Sequence, residues 1–481
     1  MDTNRSRNGW VLALTSVASL MVALDTLVVS TALTTIRQDL GASIEELEWT
    51  VNSYNLSLAV LLLPAAALGD RFGRRRIFAA GLGLFVATSA ACALAPGVGW
   101  LIAARAVQGA GAALVISLAL AIVSAAYPRE RRGAAIGILE GITGFAVVGG
   151  PVIGGAVSQG LSWEWIFWVN VPIGLVALPL ALARIEETFG SDRALDIRGL
   201  ALVGSGALGV VWGLVRGNSA GWGSLEVVLS LVAGAALVAA FVAWELRTRE
   251  PMLPMRFFRS RAFSAGNAAT FFLFASLFGA VFFFAQFLQT GLGHDPLEAG
   301  LRLMPWTATL FVVAPVAGAL ADRIGERPLV AGGLALQAVG MAWLALIAEP
   351  GLAFTEMLAP SIVTGVGASA AIPTSANAVV GAVSTDAVGK AAGANGMLRE
   401  LGGVFGIALA VAVFAGAGSY ASAQAFSDGF ASAIGVAAGL SLAGAIAGLA
   451  VPARRATEST NDKELTHADL SRRVAGAQDC A

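Results

Sequence analysis

Long apolar runs alternate with short polar breaks along most of the chain. The runs fall at 10–33, 49–68, 77–95, 101–124, 134–158, 165–184, 198–215, 226–246, 262–289, 300–320, 328–347, 354–383, 391–418 and 430–450. Most are roughly 18 to 25 residues long, the length that carries a helix across about 30 Å of hydrocarbon. The pattern predicts an all-α polytopic membrane protein with 14 transmembrane helices. Pro360 and Pro373 interrupt the run 354–383, where a break in the helix is expected.

Two of the polar breaks resemble each other. Leu68-Gly69-Asp70-Arg71-Phe72-Gly73-Arg74-Arg75-Arg76 follows the second run, and Leu320-Ala321-Asp322-Arg323-Ile324-Gly325-Glu326-Arg327 follows the tenth. Each copy therefore follows the second span of a six-span set, which predicts two pseudo-equivalent six-helix bundles with spans 7 and 8 inserted between them. The expected divisions are 1–184, a connector with the inserted pair at 185–260, a second bundle at 261–451 and a polar tail at 452–481. Two such halves facing each other across a cavity, and rocking to expose it to either side, form a recurring transporter architecture.

Composition agrees with the pattern: at 57% hydrophobic and 13% charged residues, the chain lacks the polar surface a water-soluble globule needs. Charge then orients it. Of the 30 Lys and Arg, only Arg37, Arg216 and Arg302 fall in the breaks on one side, and Arg105 and Arg399 lie within spans. The rest gather on the side of the N-terminus, which places both termini in the cytoplasm and the protein in the cell membrane. The first run is too long for a signal-peptide core and lacks a convincing cleavage site, so it is read as a retained span. Basic residues confined to short loops exclude a nucleic-acid surface. Cys92 and Cys480 make no disulfide framework, and His294 and His467 stand alone in different loops, so neither a metal nor another cofactor is expected. Neither Lys390 nor Lys463 ends a phosphate-cradling loop, which leaves an ion gradient as the energy source.

A gradient-driven carrier needs an ionisable group within the membrane, where charge is costly and by default functional. Asp25 lies about 22 Å from the cytoplasmic end of the first span, and Arg105 about 6 Å from the outer end of the fourth. The two read either as a structural ion pair or as an acid that exchanges a proton beside a fixed positive charge; the cost of burial favours the second. Glu140 stands nearer the cytoplasmic end and can also reach water there. Arg399 and Glu400 point about 100° apart on one helix and are not expected to pair with each other. Gly150, Pro151, Gly154 and Gly155 combine close helix approach with a bend, which suggests a hinge where the halves meet. Tyr54, Asn55, Glu140, Gln286 and Asn377 are candidates for polar contacts in a substrate cavity, although an inter-helix hydrogen bond is the commoner role for any one of them.

These segments together resemble the 14-helix drug:proton antiporter family of the major facilitator superfamily. Residues 66–78 are similar to its cytoplasmic signature, with Ala66 in place of the first Gly. Leu101 through Gly111 resembles the motif whose arginine is implicated in proton transfer. Gly137 through Gly155 resembles the antiporter signature ending Gly-Pro-x-x-Gly-Gly. Leu24 through Leu33 resembles the first-helix motif, with Ser30 where Asn is usual, and Trp163 through Pro172 resembles the segment entering span 6, with Glu164 where Arg is usual. The resemblance implies a monomeric proton-coupled exporter of hydrophobic or amphiphilic small molecules, working by alternating access and not as an enzyme. Asp70, Arg71, Gly73, Arg74, Asp322 and Arg323 are expected to latch helix ends when the carrier faces outward. A carrier of a polar metabolite and a non-transporting membrane sensor or scaffold are the alternatives.

Overall fold

The computed structural model describes residues 2–190, 196–384 and 387–453; the tail from 454 onward and the charged residues 191–195 of the first connector lie outside the described residues. Fourteen of the described helices are long and apolar enough to cross a membrane. They are α1 (Asn8–Leu40), α2 (Ile44–Phe72), α3 (Arg74–Ala93), α4 (Val98–Ala126), α5 (Ala134–Gly160), α6 (Trp165–Arg184), α7 (Ile197–Ala220), α8 (Leu225–Glu245), α9 (Arg261–Gly291), α10 (Pro296–Ile324), α11 (Glu326–Ile347), α12 (Phe354–Val380), α13 (Val388–Ala417) and α14 (Ala423–Leu449). The described residues contain no strand. Successive connectors alternate between the two ends of the bundle; the end carrying Arg71 to Arg76 is called here the basic end.

Helices overrun the apolar runs because polar turns at their ends remain helical where water replaces lipid. α2 starts five residues before its run, on a capping box: the Ser43 amide donates to Glu46 Oε2 (2.8 Å) and the Glu46 amide to Ser43 Oγ (3.3 Å). Its other end is set by Gly73, whose φ of +107° only glycine adopts at little cost. Gly325, the matching residue of the second loop, has φ +83° and ends α10 in the same way. The repeated glycine thus marks the same abrupt helix end in both halves.

The break expected in α12 does not form, since the helix runs unbroken through Pro360 and Pro373. Thr364 Oγ1 donates to the Pro360 carbonyl (2.8 Å). Gly340 of α11 sits so close that a Cβ there would lie 2.8 Å from that same oxygen, so the neighbour holds the helix in place. Breaks occur instead in α6, between Trp165–Trp168 and Asn170–Arg184, and in α10, around Pro305.

In the first half α2 packs on α4, α3 on α4 and α1 on α5; in the second α9 packs on α13 and α14, and α11 on α12 and α14. The inserted α7 and α8 form a hairpin lying against α2 and α13. Glycines bring that pair together: a Cβ on Gly234 would be 2.6 Å from the Val210 amide nitrogen. The halves meet along two seams. On one, α2 and α13 pack from Leu56 beside Val404 to Leu63 against Gly393. On the other, α5 and α10 touch at the end opposite the basic loops: a Cβ on Gly155 would lie 2.2 Å from the Pro296 carbonyl oxygen, and one on Gly300 2.3 Å from that of Pro151. Phe145 and Phe311 still meet at 6.3 Å. Beyond them Ile138 and Ile142 of α5 and Val312 and Val316 of α10 are exposed.

Candidate functional site

The centre of the first half contains a charge pair removed from solvent. Asp25 of α1 is 3% exposed and Arg105 of α4 is 1% exposed. Arg105 Nη1 donates to Asp25 Oδ2. The other carboxylate oxygen accepts from Gln108 Nε2 and from Asn170 Nδ2, both at 3.1 Å. Asn170 opens the second segment of α6, just past its break, and also bonds Ser89 of α3, which in turn donates to the Phe167 carbonyl (2.9 Å). Donors from α4 and α6 thus converge on the carboxylate of α1, and Ser89 of α3 holds Asn170 in place.

The arginine has partners of its own. Its Nε donates to the Thr50 carbonyl of α2 (3.3 Å) and its Nη1 also to Gln108 Oε1 (2.9 Å). The Tyr54 ring lies 4.0 Å beneath the guanidinium. Gly109 makes this stacking possible, because a Cβ there would be 2.3 Å from the Tyr54 carbonyl oxygen and would push α2 away. The Tyr54 hydroxyl accepts from Thr26 and donates to the Val22 carbonyl, each at 3.4 Å.

Taking two ions out of water costs several kcal/mol for each, and removing one partner leaves the other uncompensated. A proton reaching Asp25 is the exception, because it neutralises the carboxylate while Gln108, the Thr50 carbonyl and the Tyr54 ring still hold Arg105. The arrangement can therefore exist in two protonation states without a bare buried anion. Gln108, Asn170 and Ser89 had no assigned role in the sequence reading. Their signal was present, since Gln108 lies one turn from Arg105 and both amides interrupt otherwise apolar runs.

The other candidates are dispersed. Tyr54 belongs to the Arg105 site. Asn55, one residue on, is fully buried with neither side-chain polar atom bonded. Gln286 of α9 accepts from the Tyr420 hydroxyl and donates to the Phe282 carbonyl (2.7 Å). Glu140 and Asn377 are exposed. Arg399 and Glu400, expected not to pair, do so: Arg399 Nε donates to Glu400 Oε1 at 2.9 Å. The long arginine wraps around α13, with its guanidinium 5.6 Å from the Phe274 ring.

At the basic end Asp70 pairs with Arg74 (2.8 Å), one turn on. The stretch after α6 docks on this loop: the Gly190 amide donates to the Asp70 carbonyl (3.2 Å), the Arg74 amide to the Thr188 carbonyl (2.9 Å) and the Arg75 amide to Glu187 Oε1 (2.9 Å). Asp322 and Arg323 of the second copy are exposed and form no ion pair among the described residues. At the opposite end the halves are tied together. Gln289 Nε2 donates to the Thr31 carbonyl (2.9 Å), the Leu297 amide to Gln159 Oε1 (3.3 Å), and the Arg37 guanidinium lies 4.0 Å over the Tyr420 ring. Burial pushes the Tyr420 hydroxyl pKa up, which keeps it a donor to Gln286.

Comparison with known proteins bears on the whole chain. Residues 15–406 and 266–475 match the family profile described as Major Facilitator Superfamily. The tetracenomycin C resistance and export protein of Streptomyces glaucescens is 34% identical over 408 residues, covering 84% of this chain and 76% of that protein. The cephamycin export protein of Amycolatopsis lactamdurans is 34% identical over 421 residues, covering 85% of each. A crystal structure of the peptide transporter POT in complex with sulfate superimposes with a TM-score of 0.69 at 15% identity, covering 92% of this chain and 94% of that one, a likeness of fold.

Proposed function

Because the chain belongs to the major facilitator superfamily, and is a membrane transporter rather than an enzyme, we propose that it exports hydrophobic or amphiphilic small molecules, antibiotics among them, in exchange for protons. The substrate class follows the relatives, several of which are antibiotic resistance or export proteins. The observation that carries the coupling is the Asp25 carboxylate, buried against Arg105 with its neutral donors already in place.

The basic end faces the cytoplasm in this reading, by the excess of arginine in its loops. The contacts of Gly155, Gly300, Gln159 and Gln289 then close the outer end, and the exposed faces of α5 and α10 beyond Phe145 belong to a carrier open inward. Export returns the proton on Asp25 to the cytoplasm, where the Arg105 pair re-forms as substrate is taken up. Rocking about Gly150 to Gly155 opens the outer end, releases substrate and exposes Asp25 to a new proton. Asp322 and Arg323, exposed and without an ion pair among the described residues, fit a latch that engages when the cytoplasmic end closes, and Asp70 and Arg74 would exchange their mutual pair for it in the first half.

Expression in a drug-sensitive host, tested against a panel of antibiotics and dyes, checks this. The expected result is resistance to at least one compound, abolished when the proton gradient is collapsed. Resistance that survives collapse would remove the coupling; absence of any resistance, together with no substrate-dependent proton flux in vesicles, would remove transport of this class.

A further inference from the structure

One polar cluster takes no part in the site at Asp25. Glu48, Asn52 and Asn55 stand at i, i+4 and i+7 on α2 and so share one face of the helix. All three are fully buried. Asn52 Nδ2 donates to Glu48 Oε1 (3.1 Å), and this is the only hydrogen bond their side chains make among the described residues. Glu48 Oε2, Asn52 Oδ1 and both polar atoms of Asn55 are left without a partner. Buried polar groups are rarely orphaned, and three on one stripe require an explanation.

The stripe has a direction. One turn before Glu48, Ile44 lines a cavity of about 400 Å³ at the outer end, between Arg37 of α1 and Phe414 and Tyr420 near the end of α13. Seven residues further on, about 10 Å along the helix, Asn55 adjoins Tyr54, whose ring supports Arg105. The orphaned groups therefore stand on α2 between the turn of Ile44, which lines the outer cavity, and the turn of Tyr54, which supports Arg105. The charge nearest to Glu48 on its own helix is Glu45, which pairs with Arg216 of α7 at 3.4 Å, and Arg37 of α1 lies over Tyr420; neither bonds to Glu48. A carboxylate with one donor and no cation is costly in such a place, and a bound proton removes the cost. All three side chains are closed off from solvent, so the groups that could meet them there are small.

We propose that Glu48 is the outer proton intake of the carrier, with Asn52 and Asn55 holding the water that leads inward to Asp25. The assignment rests on the proton-coupled reading above. When the outer end opens, outer water gives a proton to the Glu48 carboxylate. The acid passes it to water held along Asn52 and Asn55, and the Asp25 carboxylate takes it up, releasing Arg105. Glu48 is protonated again before closure buries it, so the closed outer end contains the neutral acid.

The full chain, reconstituted in phospholipid vesicles, tests this by the infrared C=O band of protonated carboxyls at neutral pH. A band is expected in the parent, retained in Asp25→Asn and lost in Glu48→Gln, which has the same shape and no acid. With ethidium as transported probe, Glu48→Gln lowers gradient-driven export on the order of tenfold and equilibrium exchange much less, and Glu48→Asp restores part of the difference. Absence of the band from the parent, its persistence in Glu48→Gln, or an equal fall of driven export and exchange overturns the proposal. Driven export that survives Asp25→Asn overturns the coupling at Asp25 and leaves the Glu48 band assignment standing.

Discussion

The two halves share a plan of six helices and a repeated loop, yet their centres differ in how they hold charge. In the first half Asp25 and Arg105 come from different helices, 80 residues apart in sequence, and both are removed from water. In the second half Arg399 and Glu400 are neighbours on one helix, and the Arg399 side chain is 38% exposed. The remaining polar centre there is neutral: Ser276 bonds the Ala437 carbonyl (2.7 Å), Gln337 bonds Ser276 (3.3 Å), and Asn395 bonds Asn267 and Thr270. A pair that closes between helices makes its protonation depend on how those helices sit. A pair local to one helix does not. The pair that joins two helices lies in the first half, and the buried Glu400 of the second half is matched within its own helix.

The sharpest way to break this contrast is Asp25→Asn, which keeps the shape and removes the acid; gradient-driven export in vesicles should fall about a hundredfold or more. Arg105→Lys keeps the charge but loses the planar fork that spans Asp25, Gln108 and the Thr50 carbonyl, and a fall on the order of tenfold is expected in the same assay. Gly155→Ala places a methyl against the Pro296 carbonyl and should shift the carrier from the closed outer end by about 1–3 kcal/mol. That shift is read as faster labelling of a cysteine introduced at Ser158, buried one turn from Gly155, by a membrane-impermeant thiol reagent; unchanged labelling would show that the α5 to α10 contact does not gate. Glu400→Gln should change export only about twofold, because the amide keeps the shape of the buried Glu400 and Arg399, 38% exposed, can turn to water when the pair is lost. A loss there equal to that of Asp25→Asn would erase the difference between the halves.

Much of the frame was legible in the apolar runs. All 14 spans form, because a membrane admits few other ways to satisfy a backbone. The repeated loop also announced itself, and Gly73 and Gly325 show why its glycine recurs. Local rules failed where neighbours decide. Proline alone suggested a break in α12, but Gly340 of α11 packs against that site and the helix continues. The 100° rule separated Arg399 from Glu400, but a side chain with four rotatable bonds can wrap that far. Asp25 and Arg105 could be singled out as intramembrane charges, whereas Gln108, Asn170 and Ser89 could not be gathered around them, since that depends on where α3, α4 and α6 cross. Glu48 was hidden by its place near a helix start, where an acid normally meets water.

The most direct test of the central claim is the pH inside vesicles containing the full chain, recorded with a lumenal dye while an exported compound from the growth panel moves down its own gradient. Substrate movement in the parent should drive a proton movement in the opposite direction, and Asp25→Asn should still exchange substrate while the dye stays flat. A dye signal in Asp25→Asn equal to that of the parent would contradict the claim that the proton passes through the pair of Asp25 and Arg105.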